Sequence, residues 1–92
     1  MKKKLNIAII GMGYVGLPLA VESGKYFKTI GFDIDANKIK KLNKNIDDNN
    51  ELSKNDIKKS KFLSFTSNIK DIKICNFYII CVPTPIDKNK NP

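Results

Sequence analysis

The sequence predicts a doubly wound parallel α/β sheet, and three observations carry that prediction. Short apolar runs rich in Ile alternate with stretches of helical pattern along the 92 residues. Two of those runs, Leu5 to Ile10 and Phe77 to Val82, are apolar almost throughout instead of at every second position, as strands covered on both faces are. The first run also ends in Gly11-Met12-Gly13-Tyr14-Val15-Gly16, a glycine-rich turn that leads straight into a helix.

The elements follow in order. After the strand at Leu5 to Ile10, a helix begins at Val15, its apolar side read on Val15, Leu19, Ala20 and, further on, Phe27. Pro18 is tolerated because it falls in the first helical turn, where its missing N–H costs no helical bond. Gly24 closes or loosens that helix. Thr29 to Ile34 is a second β-rich segment, and Asp35 is placed to cap a second helix carrying Ile39 and Leu42 on one side. Asn43 to Asn50 is dominated by Asn and Asp, whose side chains compete for backbone hydrogen bonds, and reads as a loop.

Ser53-Lys54-Asn55-Asp56 has the form of a capping box, with Asp where Glu is usual, ahead of a short polar helix. Phe62 to Thr66 is a third short strand, and Ser67 or Asn68 can cap a brief helix through Ile74. Phe77 to Val82 is the fourth strand, and Ile86 to Pro92 a loose polar tail. Right-handed crossovers give the strand order 3-2-1-4. A sheet of this kind continues beyond its fourth strand, so a bare apolar edge there predicts that residues 1–92 are the N-terminal part of a larger protein, its substrate and catalytic domains lying elsewhere.

Composition is that of a soluble globular domain, 41% apolar and 28% charged, with no apolar run near the length of a membrane span. The basic start Met1-Lys2-Lys3-Lys4 precedes too short an apolar stretch for a secretion signal, so a cytoplasmic location is expected. Cys75 and Cys81 match neither a disulfide framework nor a CxxC pair and read as buried free thiols. With no histidine either, no metal site is expected. The net charge of +8 raises a polyanion-binding possibility, but all 17 basic residues are lysines, scattered along the chain. Arginine, which recognises phosphate bidentately, is absent, so a solvated lysine surface is expected, with neither nucleic acid nor membrane as partner.

The glycine turn carries the chemistry. Gly11 permits the tight turn, Gly13 lets the backbone approach a pyrophosphate, and Gly16 lets the helix pack closely on the strand. The pyrophosphate would then rest on free N–H groups at the helix start, where the peptide dipoles present partial positive charge. Asp33, about 20 residues on, can accept hydrogen bonds from adenosine ribose hydroxyls and would repel the 2′-phosphate of NADP, which favours NAD. Lys38 pulls the other way, as a cation able to neutralise part of that phosphate. Plainer roles stay open: the glycines suit any tight strand-to-helix corner, Asp33 could be an ordinary turn residue, and Pro83-Thr84-Pro85 a structural corner.

Ile7 to Ala20, Gly31-Phe32-Asp33-Ile34-Asp35 with Lys38, and Val82-Pro83-Thr84-Pro85 together resemble the bacterial nucleotide-sugar dehydrogenases, which oxidise UDP-sugars to UDP-uronic acids. Ile86-Asp87-Lys88 is similar to the branch that acts on UDP-N-acetylhexosamines for surface polysaccharides such as Vi and O antigens, more than to the UDP-glucose branch. The resemblance implies a Rossmann-type NAD domain, truncated here after its fourth strand. It also implies a cofactor site at Gly11, Met12, Gly13, Tyr14, Val15, Gly16, Asp33, Lys38, Pro83 and Thr84, with Thr84 near the nicotinamide half. It implies as well a full-length homo-oligomer in which two hydride transfers to NAD proceed through a thioester on a cysteine of a later domain.

Neither Cys75 nor Cys81 matches that cysteine's motif, so this chain holds no catalytic nucleophile and alone is expected to be inactive. Two other readings remain at this point. A hydroxyacid or phosphogluconate-type dehydrogenase would share the glycines but not the Tyr14-Val15-Gly16 and Val82-Pro83-Thr84-Pro85 signatures. A stand-alone nucleotide- or polyanion-binding module would show steeply salt-dependent affinity for heparin or DNA.

Overall fold

The computed structural model describes residues 4–47 and 52–81. Four parallel strands, β1 (Asn6–Ile10), β2 (Lys28–Phe32), β3 (Leu63–Thr66) and β4 (Phe77–Ile80), lie in the order β3-β2-β1-β4. The helices are α1 (Gly16–Ser23), α2 (Ala36–Leu42) and α3 (Lys54–Lys58), with a 3-10 helix at Ile69–Ile72. The expected order 3-2-1-4 is therefore the observed one. No helix among the described residues is long and apolar enough to cross a membrane.

The pleat of β1 divides the core. Ile7 and Ile9 point to one face, where Leu17 and Val21 of α1, Ile39 and Leu42 of α2 and Ile57 of α3 close over them. Ala8 points to the other, beneath Ile30, Ile72 and Cys75. Because both faces are covered, β1 tolerates a nearly continuous apolar sequence. Buried polar groups are matched: Thr29 donates its hydroxyl to the carbonyl of Phe27 at 2.8 Å, and the Ser60 hydroxyl donates to the carbonyl of Val21.

Local signals place the helices as expected. The Asp35 carboxylate accepts from the N–H groups of Asn37 and Lys38, capping α2, and Gly24 is the C-cap of α1. A side chain at Gly24 would meet Leu63 Cβ at 2.6 Å, so the close passage of the first residue of β3 also requires glycine there. Asn68 caps the short turn after β3, which is a 3-10 helix ending at Ile72 and not a helix through Ile74. Within the expected loop, residues 43–45 form a turn, with Asn45 at φ 62, and residues 48–50 lie outside the described residues.

Burial departs from expectation in two places. The face of α1 that packs down is Gly16, Leu17, Ala20 and Val21; Val15 and Leu19 are exposed, and Phe27 is exposed beyond the helix end. Starting the helix one residue after Val15 rotates the apolar stripe onto Leu17 and Val21. β4 is the larger correction: it was expected to be covered on both faces, yet Phe77, Tyr78 and Ile80 are exposed, the last at 67%. It is an edge strand paired only with β1 among the described residues, and the Tyr78 hydroxyl donates to the carbonyl of Ile72 in the 3-10 helix at 2.6 Å. Of the thiols, Cys75 is buried, which pushes its pKa up, and Cys81 is half-buried; both are free.

The capping box of α3 is complete. The Ser53 N–H donates to Asp56 Oδ2 at 3.0 Å, and the Asp56 N–H donates to Ser53 Oγ at 3.1 Å. The bond from the Ser53 N–H, and after it a hydrogen bond from the Ser53 side chain, hold the Asp56 carboxyl below its ordinary value of 3.8. A depressed folded value means that the box contributes fully above that ordinary value and loses its contribution as pH falls through the lower one. Asp56→Asn is therefore expected to shallow the acid limb of the stability curve. Urea midpoints measured from about pH 6 to about pH 2 check this, and an unchanged limb would show that the box contributes nothing.

Candidate functional site

The site forms where β1 hands over to α1 at the carboxyl edge of the sheet, the edge at which open α/β sheets bind ligands. Gly11 is at φ 103, a left-handed conformation that side chains other than glycine rarely adopt, and its N–H donates to the carbonyl of Phe32 at 2.7 Å. The chain therefore turns sharply while staying attached to β2. Gly16 then passes so close that a Cβ on it would lie 1.6 Å from the Gly11 carbonyl oxygen and 3.2 Å from Cys81 Cβ. Gly13 is the opposite case: nothing lies within 4 Å of where its Cβ would be. The space over Gly13 is open, while the space at Gly16 is filled by backbone.

The start of α1 is left without a cap. Val15 is the N-cap residue and provides no side-chain hydrogen bond, and Pro18 brings no N–H. The Leu17 N–H bonds to the carbonyl of Gly13, but among the described residues no acceptor meets the N–H groups of Gly13, Tyr14, Val15 or Gly16. Tyr14 and Val15 stand exposed beside the turn. Uncapped amides at the positive end of a helix dipole, with nothing over the middle glycine, form a seat for an anion.

A cavity of about 400 Å³ opens from this seat toward β2 and α2. Gly11, Gly13, Phe32, Asp33, Asp35 and Lys38 line it, so residues far apart in sequence meet here. The Asp33 carboxylate is held on both sides: Oδ2 accepts from the Met12 N–H at 2.8 Å and Oδ1 from the Asp35 N–H at 2.9 Å. Each oxygen retains a lone pair for a further donor. Sequence reasoning did not anticipate the bond to Met12, nor that the Met12 side chain is buried, at 1% exposure. Lys38 lies half-buried on the first turn of α2, on the far wall.

Pro83 and Thr84 fall outside the described residues. The last described position, Cys81, donates its N–H to the carbonyl of Ile10 at 2.7 Å, beside the turn. A larger groove of about 680 Å³ lies at the amino-terminal edge of the sheet, among Lys4, Tyr26, Phe27, Lys28, Lys61 and Phe62. It contains neither the glycine turn nor a carboxylate, and shares no residue with the seat described above.

The chain was compared with known proteins. Residues 5–92 match the family described as the UDP-glucose/GDP-mannose dehydrogenase family, NAD binding domain. Over 89 residues the chain is 51% identical to a UDP-N-acetyl-D-glucosamine 6-dehydrogenase of Salmonella typhi, covering 97% of this chain and 21% of that protein. Over 90 residues it is 48% identical to an enzyme of the same name from Pseudomonas aeruginosa, covering 98% and 21%. Among solved structures, a UDP-D-ManNAc dehydrogenase from Pyrococcus horikoshii superposes with a TM-score of 0.84 at 32% identity, over 94% of this chain and 22% of that one. The chain thus spans about a fifth of the length of these relatives.

Proposed function

Because the chain belongs to the UDP-glucose/GDP-mannose dehydrogenase family through its NAD-binding domain, we propose that its glycine turn seats the pyrophosphate of NAD in a UDP-N-acetylhexosamine 6-dehydrogenase. Such an enzyme takes the C6 hydroxyl of the sugar to the carboxylate at the expense of two NAD, supplying a UDP-uronic acid for surface polysaccharide. The observation that carries the cofactor assignment is the uncapped start of α1 beneath the open face of Gly13. The choice of an N-acetylhexosamine rests on identity: the chain is about half identical to two UDP-N-acetyl-D-glucosamine enzymes, and 32% and 33% identical to two UDP-N-acetyl-D-mannosamine enzymes.

In this reading the free amides of Gly13 to Gly16 hold the pyrophosphate, and the adenosine ribose enters the cavity beside Asp33. Its hydroxyls donate to the lone pairs that Met12 and Asp35 leave unused. A 2′-phosphate would bring negative charge against that carboxylate, which disfavours NADP, and Lys38 offsets part of the repulsion. Thr84 is assigned to the nicotinamide half, with Pro83 in the same cofactor site. Bound NAD supplies the hydride acceptor. The groups that orient and activate the sugar belong to the rest of the enzyme, which acts in the cytoplasm as a homo-oligomer.

The test is a titration of NAD and NADP against the protein carrying this domain, as wild type, Asp33→Ala and Asp33→Asn. Wild type is expected to favour NAD by about tenfold or more, a difference of roughly 1.4 kcal/mol. Asp33→Ala removes the ribose acceptor and frees the Met12 N–H, so NAD binding is expected to fall steeply. Asp33→Asn keeps an acceptor for Met12 but drops the charge, so discrimination against NADP should fall more than NAD affinity does. Equally weak binding of both nucleotides to wild type and Asp33→Ala would reject the site.

A further inference from the structure

Met12, a position that the glycine pattern leaves unspecified, is fixed to β2 by both its backbone and its side chain. Its N–H donates to Asp33 Oδ2 at 2.8 Å, next to the bond from the Gly11 N–H to the Phe32 carbonyl at 2.7 Å. Its side chain turns inward and is buried among Ile9, Leu17 and Ile39. The thioether passes directly over the bare Cα of Gly31: a Cβ on Gly31 would lie 2.6 Å from Met12 Sδ, and 3.0 Å from Cδ1 of Phe65, the residue paired with Gly31 on β3. Three consecutive residues, Gly31, Phe32 and Asp33, therefore hold the first two residues of the turn. A glycine inside a strand loses backbone entropy and packs no side chain, so its presence in the middle of a buried strand marks a close approach, here that of Met12.

From this geometry we infer that Met12 is a positioning residue for NAD, and that its side chain sets the turn amides at binding height through a volume match with Gly31. The inference rests on the cofactor reading above. The amides of Gly13 to Gly16 follow Met12 without interruption, and α1 offers no cap that could fix them independently. The run is held at Gly16 by the close packing of α1 on the Gly11 carbonyl, so the height of the Gly13, Tyr14 and Val15 amides above the sheet depends at their near end on how deeply Met12 seats. Methionine suits this role because its unbranched thioether can fill a narrow slot beside an aromatic ring. A Cβ at Gly31 would push the thioether outward and lift the turn. Removing the thioether would leave a void that the turn can sink into. Neither change touches the nucleotide.

The prediction is read by a double-mutant cycle on NAD affinity in the full enzyme, with thermal stability measured alongside. Met12→Ala and Gly31→Ala are each expected to weaken NAD binding about tenfold. The double variant, in which the new methyl at position 31 occupies space vacated by the thioether, should bind NAD more tightly than either single variant. Met12→Leu, close in volume, should stay within about threefold of wild type. If Gly31→Ala is too unstable to titrate, the comparison of Met12→Leu with Met12→Ala carries the same test, and equal affinities for those two overturn the inference. So do effects in the cycle that simply multiply, or a fall in melting temperature with NAD affinity unchanged. Wild-type enzyme that fails to bind NAD sinks the cofactor reading and this inference with it, whereas wild-type binding with a multiplicative cycle sinks this inference alone.

Discussion

Gly16→Ala is expected to remove a large part of the domain's stability. The new Cβ would lie 1.6 Å from the Gly11 carbonyl oxygen and 2.8 Å from its carbonyl carbon, both backbone atoms that no rotamer change can move aside. The overlap is relieved only if α1 lifts away from β1 by more than an ångström. Lifting it would uncover Leu17, Ala20 and Val21, which close over Ile7 and Ile9. Large destabilisations arise from just this kind of forced separation in a packed core, and a cost of about 4 kcal/mol or more is expected. Domains of this size have a total stability of only about 5 to 15 kcal/mol, and many lie near the lower end. Urea unfolding followed by circular dichroism checks it; a midpoint within experimental error of wild type would mean that the helix does not sit where this account has it.

Gly13→Val, three residues earlier, is expected to have the reverse consequence: a folded domain that no longer binds NAD. Nothing lies within 4 Å of the position of a Cβ there, and Gly13 is not at a positive φ, so valine meets neither atoms nor backbone strain. Its methyl groups enter the open space above the free amides, where a pyrophosphate has to come into contact with the main chain. Unfolding free energy should change by about 1 kcal/mol or less, while NAD affinity should drop at least about 100-fold, or roughly 2.7 kcal/mol. Calorimetric titration beside a melting curve separates the two. Retained binding would place the pyrophosphate elsewhere, and global unfolding would mean that Gly13 serves the fold. The surroundings of the two glycines thus differ as their places in the motif led one to expect, Gly16 enclosed by backbone and Gly13 open.

Features set by neighbours in sequence were legible from the start. Asp35 caps α2 and Ser53 with Asp56 closes α3, because capping is decided within four residues. Strand order followed from right-handed crossovers in a doubly wound parallel sheet. What could not be read depended on partners distant in sequence. The exposure of β4 reflects which elements lie beside it, whereas its composition speaks only of a strand able to be buried. The apolar face of α1 shifted because its first turn begins at Gly16, which the spacing of Val15 and Leu19 does not determine. At the site, Gly11, Gly13, Asp33 and Lys38 converge as the motif suggested. The grip of Asp33 on Met12 was invisible, since fingerprints specify what a ligand needs and not what steadies the loop. Gly31, an unexplained glycine in a β-rich run two residues before Asp33, was the available clue.

The ribose contact proposed for Asp33, added to its observed hold on the loop, bears on how cofactor choice can be altered in this scaffold. A carboxylate that only greeted the ribose could be exchanged for a small neutral residue, with a cation added nearby, and the enzyme would trade one nucleotide for the other in a single step. Here the same two oxygens also restrain the loop through Met12 and Asp35. Any redesign toward the phosphorylated nucleotide must therefore install a replacement acceptor for the Met12 amide before it removes the charge, or the newly welcomed ligand will find its cradle loosened.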